Sequence, residues 1–206
     1  MFADVDGANM KWQFIGILPP FAGNNVTAVS SLHGDIIWIG TGDGRIFSMG
    51  AKIPPGANFG STPFEFATPR NSDPGEVDRF VIMSDALGYA IYNRKSGSGA
   101  LLQLNFFSWD PLGANSNVAK GDGLPTDEGP FYALATDRDA NPHTLFLATD
   151  NRVYVSRDDA NSRQLGTYGL PTRPHCADLR VDPGDSKTRF VYLSTFGRSV
   201  WRAPLA

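Results

Sequence analysis

The sequence predicts an all-β protein, and more specifically a β-propeller with about four recognisable blades. The first observation is composition: the chain of 206 residues contains 22 glycines and 15 prolines, and charged side chains make up only 19% of it. This balance is typical of proteins with many turns and few long amphipathic helices. The second observation is a three-stranded unit that occurs four times along the chain. The third is the spacing of its copies, which matches propeller blades.

The repeated unit consists of an alternating strand, a polar turn, a second strand, a tight glycine turn and a third strand. Its copies recur at intervals of roughly 40–65 residues. Serine or threonine ends the second strand of every copy. The copies cover residues 26–49, 64–93, 131–156 and 177–203, and their second strands end at Thr41, Ser84, Thr149 and Thr195.

A propeller blade needs a fourth strand, which must follow the third. We expect residues 100–110 to supply it in the second blade and residues 162–171, more weakly, in the third. Residues 51–60 contain two prolines and make a poor strand after the first copy. After the fourth copy the sequence stops, so we expect the segment 11–17 to complete the last blade and leave no open edge. The alternative is a larger ring, completed by a further segment, by self-association or by a partner chain.

These assignments place residues 1–206 in a single domain. Small residues of the second strands are expected near the common axis, and bulky ones fill the space between blades. The bulky residues are Trp38, Phe80, Phe146 and Phe190. The predicted blades cover approximately residues 24–55, 61–110, 129–168 and 174–205, the last together with 11–17. A β-sandwich or an irregular β-fold is the alternative, but it would not repeat this unit.

One stretch carries a resemblance to a known family. The run "YVSRDDANSRQLGTYGLP" (154–171) resembles an Asp-box, the Ser-x-Asp-x-Gly-x-x-Trp turn of BNR or sialidase-type repeats. Ser156 and Asp158 match this pattern, whereas Ala160 replaces the glycine and Arg163 replaces the tryptophan. The run 178–203 resembles the closing blade of BNR-type propellers, which include xyloglucanase-type glycoside hydrolases and sortilin-type domains. The resemblance implies a structural turn at Ser156 and Asp158, in which the aspartate binds backbone N–H groups, and an extracellular location.

Charge and motif content exclude several functional classes. The net charge of −3 gives no general attraction to nucleic acid, and no apolar run approaches the ~20 residues of a membrane span. The N-terminal stretch "MFADVDGANMK" lacks the pattern of a signal peptide. No metal or cofactor motif is recognised, because His33, His143 and His175 are scattered without ligand spacing. The single cysteine, Cys176, lies in an apparent strand and is expected to be buried.

No catalytic residues are assigned from the sequence. Sialidases hold a carboxylate with three converging arginines, but Arg45, Arg152 and Arg198 follow equivalent hairpin turns and are expected to spread around the ring. No pair of aspartates matches the two that xyloglucanase-type enzymes use. The chain is therefore expected to bind a ligand or to act as a scaffold without catalysis.

Exposed aromatics beside polar groups are the candidate ligand contacts, because sugar rings combine apolar C–H faces with hydroxyl groups. The candidates are Trp109 with Asp110, and Tyr168 with Arg173. Packing between blades is the competing interpretation of both aromatics. The sequence thus predicts a non-enzymatic binding or scaffold propeller with glycans as the candidate ligand. A fragment or subunit of a secreted xyloglucanase-like glycoside hydrolase and a self-assembling structural repeat protein are the alternatives.

Overall fold

The computed structural model describes residues 25–32, 35–50, 63–69, 74–112, 129–182, 189–197 and 199–205. Within these ranges the chain is all β, with fifteen strands, four antiparallel sheets and no α-helix. Each sheet is a simple meander, because its strands pair in the order in which they occur along the chain. The all-β class predicted from the sequence is therefore confirmed.

Three of the four sheets have four strands and the last has three. The first sheet contains β1 (Val26–Ser31), β2 (Ile36–Thr41), β3 (Ile46–Gly50) and β4 (Phe64–Phe66). The second contains β5 (Gly75–Ser84), β6 (Leu87–Arg94), β7 (Gly99–Asn105) and β8 (Ser108–Pro111). The third contains β9 (Phe131–Asp137), β10 (Thr144–Thr149), β11 (Val153–Ser156) and β12 (Gln164–Leu165). The fourth contains β13 (Cys176–Val181), β14 (Phe190–Thr195) and β15 (Ser199–Pro204).

The second unit begins later than the sequence predicted. Residues 64–66 were expected to open the second blade, but they form β4 at the outer edge of the first sheet, where Phe66 pairs with Ile46. Phe66 is buried and packs on Trp38, with ring centroids 5.0 Å apart. The second sheet starts at Gly75 instead. The aromatic residues of β4 thus complete the core of the first sheet, although twelve residues outside the described ranges separate them from β3.

A one-residue β-bulge recurs at the same place in all four sheets. The first strand of each sheet contains a residue that is skipped in the pairing with the second strand, opposite the C-terminal part of that second strand. The skipped residues are Thr27, Asp78, Tyr132 and Ala177. Bulges bend a strand and increase its twist. Their repetition shows that the four sheets are copies of one unit in three dimensions as well as in sequence.

The bulges also correct the alignment of the repeats. The second-strand residues that pair directly beyond the bulges are Thr41, Tyr92, Thr149 and Thr195, so the prediction of Ser84 for the second copy is wrong. Ser84 instead ends β5, the first strand of its sheet. The threonines hold the turns that follow. Thr41 Oγ1 accepts a hydrogen bond from the N–H of Arg45 at 3.0 Å, and Thr149 Oγ1 accepts one from Arg152 at 3.1 Å.

Neighbouring sheets pack through their first strands. Strand β1 contacts β5, β5 contacts β9, and β9 contacts β13. An apolar core fills each of these three junctions. Of the four bulky residues expected between sheets, three are buried there, whereas Phe190 lies on the opposite face of the fourth sheet under the guanidinium of Arg202, at 4.6 Å. The buried residues are Trp38, Phe80 and Phe146.

The junction between the third and fourth sheets also buries the cysteine. Cys176 is fully buried, and desolvation together with the nearby charge of Asp150 raises the pKa of its thiol to about 11. A thiol in this environment behaves as a small apolar side chain and is not a reactive nucleophile.

Polar contacts also join the sheets near the bulges. Asn93 at the end of β6 exchanges two hydrogen bonds of 2.9 Å with the backbone of Phe131 in the third sheet. Nδ1 of His175 and a carboxylate oxygen of Asp150 form a hydrogen bond of 2.9 Å between the third and fourth sheets. Arg79 of β5 forms an ion pair with Asp178 of β13 at 2.5 Å, and this contact passes from the second sheet to the fourth.

The fourth sheet has an edge that is unpaired among the described residues. Strand β15 pairs with β14 on one side only, and Val200 in it is 68% exposed. The segment 11–17, which the sequence predicted to cover this edge, lies outside the described residues. Within the described part of the chain, β13 and β1 do not pack together as the other first strands do.

Gly40→Ala should weaken the contact between the first and second sheets. A Cβ at Gly40 would lie 2.5 Å from Cγ1 of Val77, a separation at which one side chain has to move. Overpacking of this kind costs about 1–3 kcal/mol in the free energy of unfolding, which urea denaturation measures.

Gly129→Ala is the matched control, because an added Cβ there meets no atom within 4 Å. The control should change the stability by less than about 0.5 kcal/mol. Equal stability of the two variants would contradict the close sheet contact at Gly40.

Candidate functional site

The structure does not place Trp109 where a ligand can reach it. Its side chain is 1% exposed and packs between the first and second sheets, against Trp38 and Phe80 with ring centroids 5.6 Å away in both cases. Trp109 pairs with Leu104 across the β7–β8 hairpin, so the two side chains share the buried face of that hairpin. The ligand contact predicted at Trp109 is therefore corrected to a core position.

Asp110, the predicted partner of Trp109, holds the tip of the same hairpin. Its carboxylate accepts hydrogen bonds from Nδ2 of Asn105 at 2.8 Å and from Oγ of Ser108 at 3.1 Å. The exposed aromatics of this hairpin are the two turn residues, Phe106 and Phe107, at 87% and 73% exposure. The sequence predicts a single strand over residues 100–110, whereas the structure has a two-residue turn between Asn105 and Ser108. Neither turn residue is a glycine, an asparagine or an aspartate, so the sequence carries no hairpin signal there.

Tyr168 and Arg173 lie on the loop that leads from the third sheet to the fourth. Tyr168 is fully exposed, at the mouth of a cleft between these sheets. Arg173 is also exposed, but it lines a separate hollow together with Asn151 and Thr172. The two residues thus belong to neighbouring hollows that share Leu170. Neither lies at the junction that contains Trp109.

We call the first of these hollows the Trp201 cleft. Its volume is about 370 Å³, at the lower end of the range typical of small-ligand pockets. The third and fourth sheets contribute apolar side chains to its walls, and Trp201 lies on the face of β15 that is directed at the third sheet. The apolar wall residues are Phe146, Val153, Val155, Leu179, Val191 and Leu193. Tyr168 and Arg157, both exposed, stand at its opening.

The polar group deepest in the cleft is already paired. Asp137 is 4% exposed and forms an ion pair with Arg189, which also contacts Asp139 at 2.8 Å. A buried carboxylate needs such a partner, because an unpaired buried charge is strongly destabilising. Asp137 therefore joins the third and fourth sheets at one end of the cleft. Arg157 and Arg202 are the other charged residues that line the cleft, and the guanidinium of Arg202 lies over the ring of Phe190.

The Asp-box-like turn lies beside the cleft and is built from side-chain contacts to the backbone. Asp158 accepts hydrogen bonds from Oγ of Ser156 at 2.8 Å and from the N–H of Ser162 at 2.9 Å. Oγ of Ser156 in turn accepts one from the N–H of Ala160 at 2.9 Å. Desolvation raises the pKa of Asp158, but the hydrogen bonds from Ser162 and Ser156 outweigh it, so the pKa of this carboxyl lies below its usual value. Both residues hold the turn and do not face the cleft opening.

Two departures from the Asp-box pattern have structural explanations. Ala160 stands at the glycine position with a φ of 65°, in the left-handed region that glycine adopts most easily. Arg163 stands at the tryptophan position, where burial lowers the pKa of its guanidinium to about 10. The turn also contacts the second sheet, because the hydroxyl of Tyr89 donates a hydrogen bond of 3.0 Å to the carbonyl of Asp159.

Two further pairs of titratable groups lie in turns and loops. Nδ1 of His143 lies 2.7 Å from Asp159, and Arg45 contacts Asp43 at 3.0 Å within its own hairpin. The described ranges contain no group of three or more histidine, cysteine, aspartate or glutamate side chains arranged to hold a metal ion. They also contain no helix long and apolar enough to cross a membrane.

Comparison with solved structures finds resemblance in fold. The crystal structure of Raptor from Chaetomium thermophilum superimposes with a TM-score of 0.57 and 15% identity, over 92% of this chain and 16% of that one. The crystal structure of the computationally designed protein Ika8 superimposes with a TM-score of 0.51 and 13% identity, over 89% of this chain and 46% of that one. The chain thus spans less than half the length of either structure. No protein-family model and no curated protein matches it.

Trp109→Ala should destabilise the protein and Tyr168→Ala should not. Removing a fully buried tryptophan leaves a large cavity and costs about 3–5 kcal/mol in the free energy of unfolding. Removing an exposed tyrosine changes it by less than about 0.5 kcal/mol. Urea denaturation of both variants checks this, and a Trp109→Ala protein as stable as the wild type would show that this residue is not in the core.

Proposed function

We propose that the chain is a four-sheet β-propeller that acts as a non-enzymatic binding or scaffold module. The observation that carries this proposal is the Trp201 cleft, an open apolar cleft with an exposed tyrosine and arginine at its mouth. Sites with apolar walls and a few polar groups are the usual form of ligand pockets. The sheets supply a rigid frame for it, since the cleft lies directly on the core between the third and fourth sheets.

The ion pair between Arg79 and Asp178 supports the propeller arrangement. It joins β5 to β13, the first strands of two sheets that are separated by the third sheet. Packed sheets lie about 10 Å apart, so the first strands of a flat row would be about 20 Å apart at this separation. Side chains of arginine and aspartate cannot span that distance. The contact therefore supports the proposal that the sheets turn around a common axis, and its short reach favours a small ring over a larger one.

The N-terminal segment 11–17 is proposed to complete the fourth sheet. Strand β15 offers an edge that is unpaired within the described residues, and the other three sheets each have a fourth strand at this place. Covering an open edge removes a site of unwanted pairing with other chains. Closure by residues of the same chain would also hold the first and last sheets together.

Deleting residues 1–17 should therefore destabilise the protein, whereas deleting residues 1–10 should not. Loss of a paired strand exposes β15, and amide hydrogen exchange in Val200–Ala203 should become faster by about tenfold or more. The shorter deletion keeps the proposed strand and serves as the control. Equal exchange rates in both deletion variants would rule out this closure.

Glycans are the proposed ligands. The resemblance of the turn at Ser156 and Asp158 to an Asp-box supports a relation to extracellular BNR-type propellers. A sugar ring can place its C–H face on the exposed ring of Tyr168. Arg157 at the same opening can donate hydrogen bonds to hydroxyl or carboxylate oxygens of the ligand.

Tyr168→Ala and Arg157→Ala should each weaken glycan binding by about tenfold, because each removes about 1.4 kcal/mol of contact free energy. A glycan array identifies the ligand, and isothermal titration calorimetry measures the affinity. Asp85→Ala is the control, since Asp85 is exposed in the turn between β5 and β6, outside the cleft, and its loss should leave the affinity unchanged. Absence of any glycan signal for the wild type would refute this ligand class.

A further inference from the structure

Three phenylalanines form an exposed aromatic patch at the outer edge of the first and second sheets. Phe106 and Phe107 occupy the tip of the β7–β8 hairpin, and Phe64 of β4 lies beside them at 47% exposure. The ring centroids of Phe64 and Phe107 are 6.1 Å apart. The two sheets are tied together here, because the N–H of Ala67 donates to the carbonyl of Phe107 at 3.1 Å and Trp109 N–H donates to Ala67 at 2.8 Å. We call Phe64, Phe106 and Phe107 the phenylalanine tip.

Turn chemistry does not account for these side chains. Phe106 has a φ of 50°, a left-handed conformation that is unfavourable for a bulky residue. A two-residue hairpin turn in which only the first central residue has positive φ prefers glycine at that residue. Hydrogen bonds from Asn105 and Ser108 to Asp110 nevertheless keep the turn closed. The tip is thus a rigid projection that displays two large apolar rings to solvent, the arrangement typical of an anchor in a protein interface.

The same chain contains a receptor for such an anchor. The Trp201 cleft has largely apolar walls and the exposed cation Arg157 at its opening, whereas the exposed anion Asp110 stands at the base of the tip. The tip cannot reach the cleft of its own molecule, because it lies at the junction of the first two sheets and the cleft lies at the junction of the last two. The charges and the apolar surfaces therefore complement each other only between molecules.

We propose that the phenylalanine tip of one copy of this chain docks in the Trp201 cleft of a second copy, with Asp110 facing Arg157. This inference rests on the proposed function, since it assigns an occupant to the same cleft. The contact is heterologous: two different surfaces meet, so copies associate head to tail and form either a closed ring or an extended chain. Glycans and the tip compete for the cleft.

Sedimentation equilibrium over a wide range of protein concentration tests the proposal. The weight-average mass of the wild type should rise above the 22.3 kDa of one chain as concentration increases. The variant Phe106→Gly/Phe107→Asn removes both rings and places glycine at the turn residue with positive φ, so it should remain folded and be monomeric. We expect its association constant to fall by about thirtyfold or more, as for loss of an interface anchor.

A mixing experiment separates this contact from other forms of association. The variant Arg157→Glu/Tyr168→Ala alters two exposed cleft residues and should also be monomeric. Mixed with the tip variant it should form a 1:1 complex, because each partner supplies the surface that the other lacks. A wild type that stays monomeric, as expected if the tip binds another protein or a lipid surface, overturns the proposal. Self-association that survives in either variant, or a mixture that does not associate, overturns it equally.

Measurement of glycan binding separates the proposed function from the proposed tip contact. The tip variant keeps an intact cleft that no second copy occupies, so on the proposed function it binds glycans at least as tightly as the wild type does. Glycan binding by a monomeric wild type would leave the proposed function standing and remove only the tip contact. Self-association without glycan binding would support the tip contact and the scaffold role and remove the glycan ligand.

Discussion

Direct packing of the first strand of each sheet against the first strand of the next is the constraint on which the rest of this structure depends. It brings β1, β5, β9 and β13 side by side and leaves no room for large side chains where backbones approach. Gly40 lies against Val77 at one junction, and Gly99 lies against the ring of Phe131 at the next. Large residues are then accommodated farther out, as Trp38 and Trp109 show.

The sequence predicted what is periodic and local. Thr41, Thr149 and Thr195 mark hairpins because each side chain hydrogen-bonds within the turn that follows, a requirement met by neighbouring residues alone. The pairing of β4 with the first sheet was not predictable in the same way, because a connection of twelve residues interrupts the pattern before Phe64. The burial of Trp109 depends on the neighbouring sheet, which supplies Trp38 and Phe66 around it.

The candidate site was only partly visible in the sequence for a related reason. Tyr168 was identified because an aromatic residue in a polar loop is a recognisable candidate for ligand contact. Its place at a cleft, however, depends on the space between the third and fourth sheets, which no single strand determines. The wall residues Val155 and Leu193 have the sequence pattern of ordinary core positions in their strands. Phe106 escaped notice because the turn that exposes it has none of the glycine or asparagine that normally announces a hairpin.

The contact between Arg79 and Asp178 affects how the protein unfolds. In a row of repeats where each touches only its neighbours, unfolding proceeds piecemeal, one repeat after another. A bond that skips a repeat couples sheets that would otherwise melt independently. Although a half-exposed ion pair adds little free energy by itself, it favours cooperative loss of the second, third and fourth sheets in a single transition.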